Sequence, residues 1–193
     1  MKKGLLIVFS GPSGVGKGTI REILMKDKSL NLFFSISMTT RLPRNSEKDG
    51  VDYYFVSKKN FLSAIKKNEL LEYAEFVGHY YGTPLNKVNE KRAKGKNVLL
   101  EIETNGALQV LKKLEGDKGL ISFFIVPPNL KILKERIVNR KTEKPEIIKE
   151  RLAKAKKELK LAKHYDYTIV NDDLQKAAKN VASLIKKKIK SFQ

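Results

Sequence analysis

The sequence predicts an α/β fold, with a parallel β-sheet core covered by helices on both faces. Three short apolar runs, each followed by a helical pattern of apolar residues, are the first observation behind this prediction. Continuous apolar runs of this length are typical of parallel strands that are buried on both faces. The second observation is a glycine-rich loop directly after the first run, at the edge of the sheet where such folds bind ligands.

Strand and helix patterns alternate along most of the chain. Residues 5–9 are predicted as the first strand, and residues 19–26 as the helix that follows the glycine-rich loop. Further strands are predicted at residues 98–102, 120–126 and 167–170, and further helices at 107–114, 130–140, 146–163 and 174–189. Pro145 is expected to open the helix of residues 146–163, since proline is tolerated in a first helical turn. The apolar stripe of the last helix is expected to dock on the core.

One segment breaks this alternation. Residues 33–56 are rich in Ser, Thr, Tyr and Phe, with turn signals at Pro43 and at Asp49-Gly50. This composition predicts a small β-rich lobe inserted between the first helix and the strand of residues 98–102.

Composition limits the class of protein and its partners. The 193 residues suit one domain, contain no cysteine, and include no apolar run near the roughly 20 residues that span a membrane. We therefore expect a soluble cytoplasmic protein, either a monomer or a homodimer. The net charge of +19 is open to two interpretations, a nucleic-acid partner or solvated lysine-rich helix faces. The lysines are spread along the chain without nucleic-acid-binding motifs, which favours the second and predicts no specific nucleic acid.

Residues 11–19, G-P-S-G-V-G-K-G-T, have the pattern of a phosphate-binding loop and indicate a core of the P-loop NTPase type. Glycines allow backbone N–H groups to converge on an anion, and the N-terminus of the following helix favours negative charge. Lys17 is expected to reach the β- and γ-phosphates and to act in catalysis. The residues predicted to bind ATP are Gly11, Pro12, Ser13, Gly14, Val15, Gly16, Lys17, Gly18 and Thr19.

The loop departs from the general pattern directly after its lysine. Gly18 occupies the place where a hydroxyl usually binds Mg²⁺, and the hydroxyl comes one residue later, at Thr19. G-K-G-T loops of this kind resemble those of nucleoside monophosphate kinases. The resemblance implies that Thr19 faces the α-phosphate, and that Mg²⁺ is held by phosphates, waters and a carboxylate.

The β-rich lobe carries side chains that suit the phosphate of an acceptor nucleotide. Arg41 and Arg44 flank Pro43, and two guanidinium groups so placed can chelate one phosphate. Tyr53 and Tyr81 can add phenolic hydroxyls to the same phosphate. For either arginine alone, a surface salt bridge is an equal alternative.

Other residues suit a guanine base. Guanine presents a carbonyl beside a ring N–H and an amine, so it requires one donor and one carboxylate, whereas adenine would set an acceptor against that carboxylate. Ser37 can donate, Glu72 can accept twice, and Thr83 can complete the contact to the amine. Taken alone, Glu72 is more often a solvated helix charge.

The chain closely resembles the guanylate kinase family along essentially its whole length. The motifs that carry the resemblance are S-I-S-M-T-T-R-L-P-R, D-G-V-D-Y-Y-F-V, L-L-E-Y-A-E-F-V-G-H-Y-Y-G-T-P, L-E-I-E-T-N-G-A-L-Q-V, F-I-V-P-P, R-I-V-N-R and V-N-D-D-L. The resemblance implies phosphorylation of GMP and dGMP by ATP with Mg²⁺, in purine nucleotide metabolism. It also implies three parts: a core (about 1–33, 95–130 and 160–193), a GMP-binding lobe (about 34–94) and a helical lid (about 131–159).

The resemblance also assigns roles residue by residue. The residues that match the family's guanine contacts are Ser37, Glu72 and Thr83, and those that match its GMP phosphate contacts are Arg41, Arg44, Tyr53 and Tyr81. The residues that match its lid arginines, which close over the transferring phosphoryl group, are Arg136, Arg140 and Arg151. The predicted catalytic set consists of Lys17, Arg41 and these three lid arginines, because phosphoryl transfer depends on positioning and charge neutralisation.

Two carboxylates end the strand of residues 98–102 on one face. Glu101 and Glu103 are predicted to hold Mg²⁺ through water or to contact the guanine, and we assign the first role to Glu101 and the second to Glu103. The family often has Asp at the second position and Gly where this chain has Lys141. Asn171 is predicted either to contact the adenine of ATP or, with Asp172 as the alternative, to cap the last helix.

The two histidines offer no further site. Neither His79 nor His164 has a metal-ligand or catalytic companion in the sequence, and both are expected to be structural.

Overall fold

The computed structural model describes residues 2–76, 78–138 and 145–192. Its larger sheet has five parallel strands in the order β2-β7-β1-β8-β9. These strands are β1 (Leu6–Ser10), β2 (Leu32–Phe34), β7 (Asn97–Glu101), β8 (Leu120–Val126) and β9 (Tyr167–Val170). The carboxyl ends of β1 and β7 lie side by side at the edge where the phosphate loop begins, because Phe9 pairs with Glu101.

A second sheet has four strands in the order β4-β3-β6-β5. Its strands are β3 (Met38–Thr39), β4 (Tyr54–Phe55), β5 (Leu70–Phe76) and β6 (His79–Pro84). Helix α2 (Lys58–Lys66) packs on this sheet, where Phe61 is fully buried and stacks on Tyr80 with 5.5 Å between ring centroids. This sheet therefore has a small apolar core of its own.

Helices cover both faces of the parallel sheet. They are α1 (Lys17–Lys26), α3 (Leu85–Ala93), α4 (Thr104–Lys113), α5 (Leu130–Val138), α6 (Pro145–Leu159) and α7 (Leu174–Phe192). Alternate residues of β1 enter different apolar clusters, Ile7 and Phe9 on one face and Leu6 and Val8 on the other. This two-sided burial confirms the predicted fold class.

Several details differ from the sequence prediction. Phe33 and Phe34 extend the parallel sheet beside β7, although the sequence placed them in the β-rich lobe. The sequence analysis gave no bounds for the β5–β6 hairpin or for helices α2 and α3. The α7 stripe docks on the core as predicted, with Ala178, Val181 and Ile185 buried. In the part of the chain that is described, no helix has the length and apolar character to span a membrane.

Candidate active site

The phosphate loop connects the end of β1 to the start of α1. Gly11 has a φ of 142°, and a Cβ at this position would lie 2.3 Å from the carbonyl oxygen of Ile125 on β8. The loop backbone thus passes so close to the sheet that only glycine fits. Lys17 begins α1, and its Nζ donates hydrogen bonds to the carbonyl oxygens of Gly11, at 2.5 Å, and Pro12, at 2.9 Å.

Asn171 supports the loop from the side of β9. Its Nδ2 donates to the carbonyl of Val15 at 2.7 Å, and the side chain lies against Gly16. The prediction that Asn171 or Asp172 caps the last helix is wrong. The residue that caps α7 is Asp173, whose carboxylate accepts a hydrogen bond from the backbone N–H of Lys176 in the first turn, at 2.7 Å. Asn171 is buried and does not belong to the cavity lining found among the described residues.

A cavity of about 370 Å³ opens between the phosphate loop and the second sheet. Its described lining consists of Gly11, Ser13, Lys17, Ser37, Tyr53, Glu72, Ala74, Tyr81, Glu101, Ile102, Glu103, Arg151, Lys154 and Glu158. Volumes of about 300–1,000 Å³ are typical of sites for small ligands. The cavity therefore brings predicted phosphate-loop, guanine-site and lid residues to one place.

Glu72 is the most deeply buried carboxylate of the lining, with 5% of its surface exposed. It lies where the β5–β6 pairing shifts register, a feature that re-aims strand side chains. The hydroxyl of Thr83 donates to its Oε1 at 2.6 Å. Its Oε2 faces Gly106 of α4, where an added Cβ would come within 2.4 Å of the oxygen. Burial raises the pKa of Glu72 to about 7, and the nearby charge of Glu103 acts in the same direction.

Three residues that are predicted to bind the acceptor phosphate, Arg41, Tyr53 and Tyr81, lie next to one another. The Arg41 guanidinium lies 5.4 Å from the Tyr53 ring centroid, and the Tyr53 and Tyr81 rings meet edge to face at 6.1 Å. Glu47, which the sequence analysis missed, binds Arg41 through two hydrogen bonds of 2.9 and 2.8 Å. Glu47 also accepts from the backbone N–H of Arg44, whose side chain is exposed.

The hydrogen-bonded pair of Arg41 and Glu47 keeps both side chains ionised. The Arg41 guanidinium lowers the pKa of Glu47 to about 2, and Glu47 in turn raises the pKa of Arg41 well above its usual range. Glu47 orients the Arg41 guanidinium beside two tyrosines but also offsets its charge, so an anionic ligand would have to compete with Glu47 for this guanidinium.

Glu101 lies beside Gly18 and forms an ion pair with Arg21, with 3.0 Å between Nη1 and Oε2. Arg21, which sequence analysis also missed, lies over the Phe34 ring at 4.5 Å. No group of three acidic or histidine side chains that could hold a metal occurs within residues 2–76, 78–138 and 145–192. A single carboxylate next to the phosphate loop fits Mg²⁺ bound chiefly by phosphates and water.

The predicted lid arginines occupy different places. Arg151 of α6 lines the cavity, whereas Arg136 of α5 donates to the backbone carbonyl of Asn171 at 2.9 Å. Arg140, with Lys141, lies outside the described residues. His79 and His164 are not among the described residues that line the cavity.

Lys154 and Glu158 line the cavity but were not predicted. Their i,i+4 spacing on α6 is typical of a solvated ion pair, so only the fold reveals that they face the site. Arg21 and Glu47 do not belong to the described lining of the cavity, but their ion-pair partners Glu101 and Arg41 are likewise revealed only by the folded chain.

Comparison with known proteins agrees with this geometry. The guanylate kinase family model matches residues 3–188. The chain is 53% identical to a guanylate kinase of Listeria innocua over 185 residues, which cover 95% of this chain and 88% of that protein. It is 50% identical to a guanylate kinase of Malacoplasma penetrans over 188 residues, which cover 97% and 95% of the two chains.

A solved structure extends the likeness to three dimensions. The crystal structure of guanylate kinase from Anaplasma phagocytophilum superposes with a TM-score of 0.74 at 32% identity, covering 96% of this chain and 86% of that chain. The family model and the relatives each cover well over half of the sequence. This chain therefore belongs to the guanylate kinase family.

Proposed function

We propose that this protein transfers the γ-phosphoryl group of ATP to GMP, giving ADP and GDP. The observation that carries the proposal is that Lys17 of the phosphate loop and the Thr83-bonded Glu72 reach the same cavity. Lys17 suits the phosphates of a nucleoside triphosphate, and Glu72 suits the pairing edge of guanine. Family membership supports the same reaction.

The donor half would act through the loop backbone and Lys17. On binding ATP, the Lys17 ammonium would exchange the carbonyls of Gly11 and Pro12 for β- and γ-phosphate oxygens, which are stronger acceptors because they are charged. Glu101 would hold Mg²⁺ through water when the ion is bound with ATP, and the ion would offset negative charge on the phosphates. Of the loop residues predicted to bind ATP, Gly11, Ser13 and Lys17 line the cavity directly.

The acceptor half would hold GMP at both ends. Glu72 would accept from the guanine ring N–H and amine, with Ser37 and Glu103 beside the base. Arg41, with Tyr53 and Tyr81, would bind the phosphate, and the exposed Arg44 would join it. The buried carboxylate would make the site selective for guanine, because adenine would set a ring-nitrogen acceptor against the carboxylate oxygens.

Transfer needs only positioning and charge neutralisation. A phosphate oxygen of GMP attacks the γ-phosphorus, the bond from that phosphorus to the β,γ-bridging oxygen breaks, and the bridging oxygen keeps the electron pair on ADP. Arg151, which lines the cavity, would offset the developing charge. Arg136 would do so after exchanging the Asn171 carbonyl for a phosphate oxygen. For Arg140 the role rests on the family resemblance alone.

A coupled assay with ATP and a series of acceptors tests the proposal. GMP should be the best acceptor, dGMP should follow, and AMP and UMP should be poor. Chelation of Mg²⁺ should abolish turnover. Failure to form GDP, or a preference for AMP over GMP, would contradict the proposal.

A further inference from the structure

Lys154 of α6 connects the predicted lid to the predicted base site. Its Nζ lies 3.6 Å from Oε2 of Glu103 and 3.7 Å from Oε1 of Glu158. Glu103 precedes α4 directly, so the first of these ion pairs joins two elements that are far apart in sequence. All three side chains line the cavity.

A second contact next to this ion pair fixes the same two helices. Glu158 is buried and accepts a hydrogen bond from the hydroxyl of Thr104 at 3.1 Å. Thr104 is the first residue of α4 and follows Glu103 in the chain. The start of α4 is thus held by α6 at two successive residues, and this sets where Lys154 lies relative to Glu103.

The charges explain why a cation is needed there. Glu72, Glu103 and Glu158 all line the cavity, and the charge of Glu103 disfavours ionisation of Glu72. An ammonium beside Glu103 offsets part of that repulsion. Because the side chain of Lys154 is 53% exposed, its ion pairs contribute little to the stability of the fold. A role in the site accounts for its position better than a role in folding.

We propose that Lys154 is a positioning residue for guanine recognition, which holds the Glu103 carboxylate toward the cavity from helix α6. Glutamate has one more rotatable bond than aspartate, so a carboxylate at position 103 needs a partner to keep one orientation. Helix α6 then contributes to binding of the acceptor base as well as to charge neutralisation. This inference rests on the proposed function.

The test measures GMP affinity by calorimetry in the absence of ATP. Lys154→Gln should weaken GMP binding by about fivefold to tenfold, whereas Lys154→Arg should stay within about twofold of the wild type. Lys157→Gln, which changes an exposed lysine of the same helix, is the matched control and should leave the affinity within about twofold. The KM for ATP and the melting temperature should be unchanged in all three variants.

A double-mutant cycle shows whether Lys154 acts through Glu103. In a Glu103→Gln background, Lys154→Gln should weaken GMP binding by less than about twofold more. An equal loss in both backgrounds, or no loss from Lys154→Gln alone, would overturn the inference. A wild-type protein that binds GMP but forms no GDP would contradict the proposed function alone. A wild-type protein that does not bind GMP would overturn both.

Discussion

The donor and acceptor halves of the cavity are built in different ways. The donor half is one contiguous loop, whose shape depends on backbone geometry such as the close approach of Gly11 to Ile125. The acceptor half is assembled from distant segments, and the group proposed to select the base is a buried carboxylate held by Thr83. A substitution in the donor half should therefore lower kcat with every acceptor. A substitution in the acceptor half should raise the KM for GMP and leave the KM for ATP unchanged.

The largest effect should come from Lys17→Gln. Removing the ammonium takes away the charge that follows the transferring phosphoryl group, so kcat should fall about a hundredfold to a thousandfold with any acceptor. The KM for GMP should change by less than about threefold. Lys26→Gln, at the exposed end of the same helix, is the control and should behave like the wild type. A loss seen chiefly as a higher KM for GMP would break the distinction between the halves.

This contrast also explains how much the sequence could predict. The phosphate loop was recognisable because its residues are contiguous and lie between a strand and a helix with clear apolar patterns. Glu47, Arg21 and Lys154 were missed because their partners, or the cavity they line, are defined only in the folded chain. Glu72 was assigned to guanine through hydrogen-bond chemistry and family resemblance, but its burial depends on strand pairing that no local pattern indicates.

A smaller and more selective effect is expected for Gly106→Ala. Alanine favours the helix, so the melting temperature should not fall much, but its Cβ would meet Oε2 of Glu72 at 2.4 Å. Displacing that carboxylate should raise the KM for GMP by about tenfold to thirtyfold. The KM for ATP should stay within about twofold of the wild-type value, since α4 is not part of the phosphate loop. Parallel changes in both KM values would contradict the acceptor-specific role.

The pH dependence of GMP binding should give the smallest effect. Burial raises the pKa of Glu72 to about 7, so its ionised fraction increases as pH rises through neutrality. Because only the carboxylate accepts both guanine N–H groups, the KM for GMP should fall by up to about tenfold between pH 6 and pH 8. Glu72→Gln should lose this component and retain only the titration of GMP itself. A KM that is constant or rises with pH would show that Glu72 is not the group that titrates.

The most direct test of the central claim, that a buried carboxylate selects the acceptor, is the effect of Glu72→Gln on the two KM values. We expect the KM for GMP to rise about a hundredfold and the KM for ATP to change by less than about twofold. Glu75→Gln, an exposed residue of the same strand, should change neither. Equal changes in both KM values, or no change in the KM for GMP, would contradict this account.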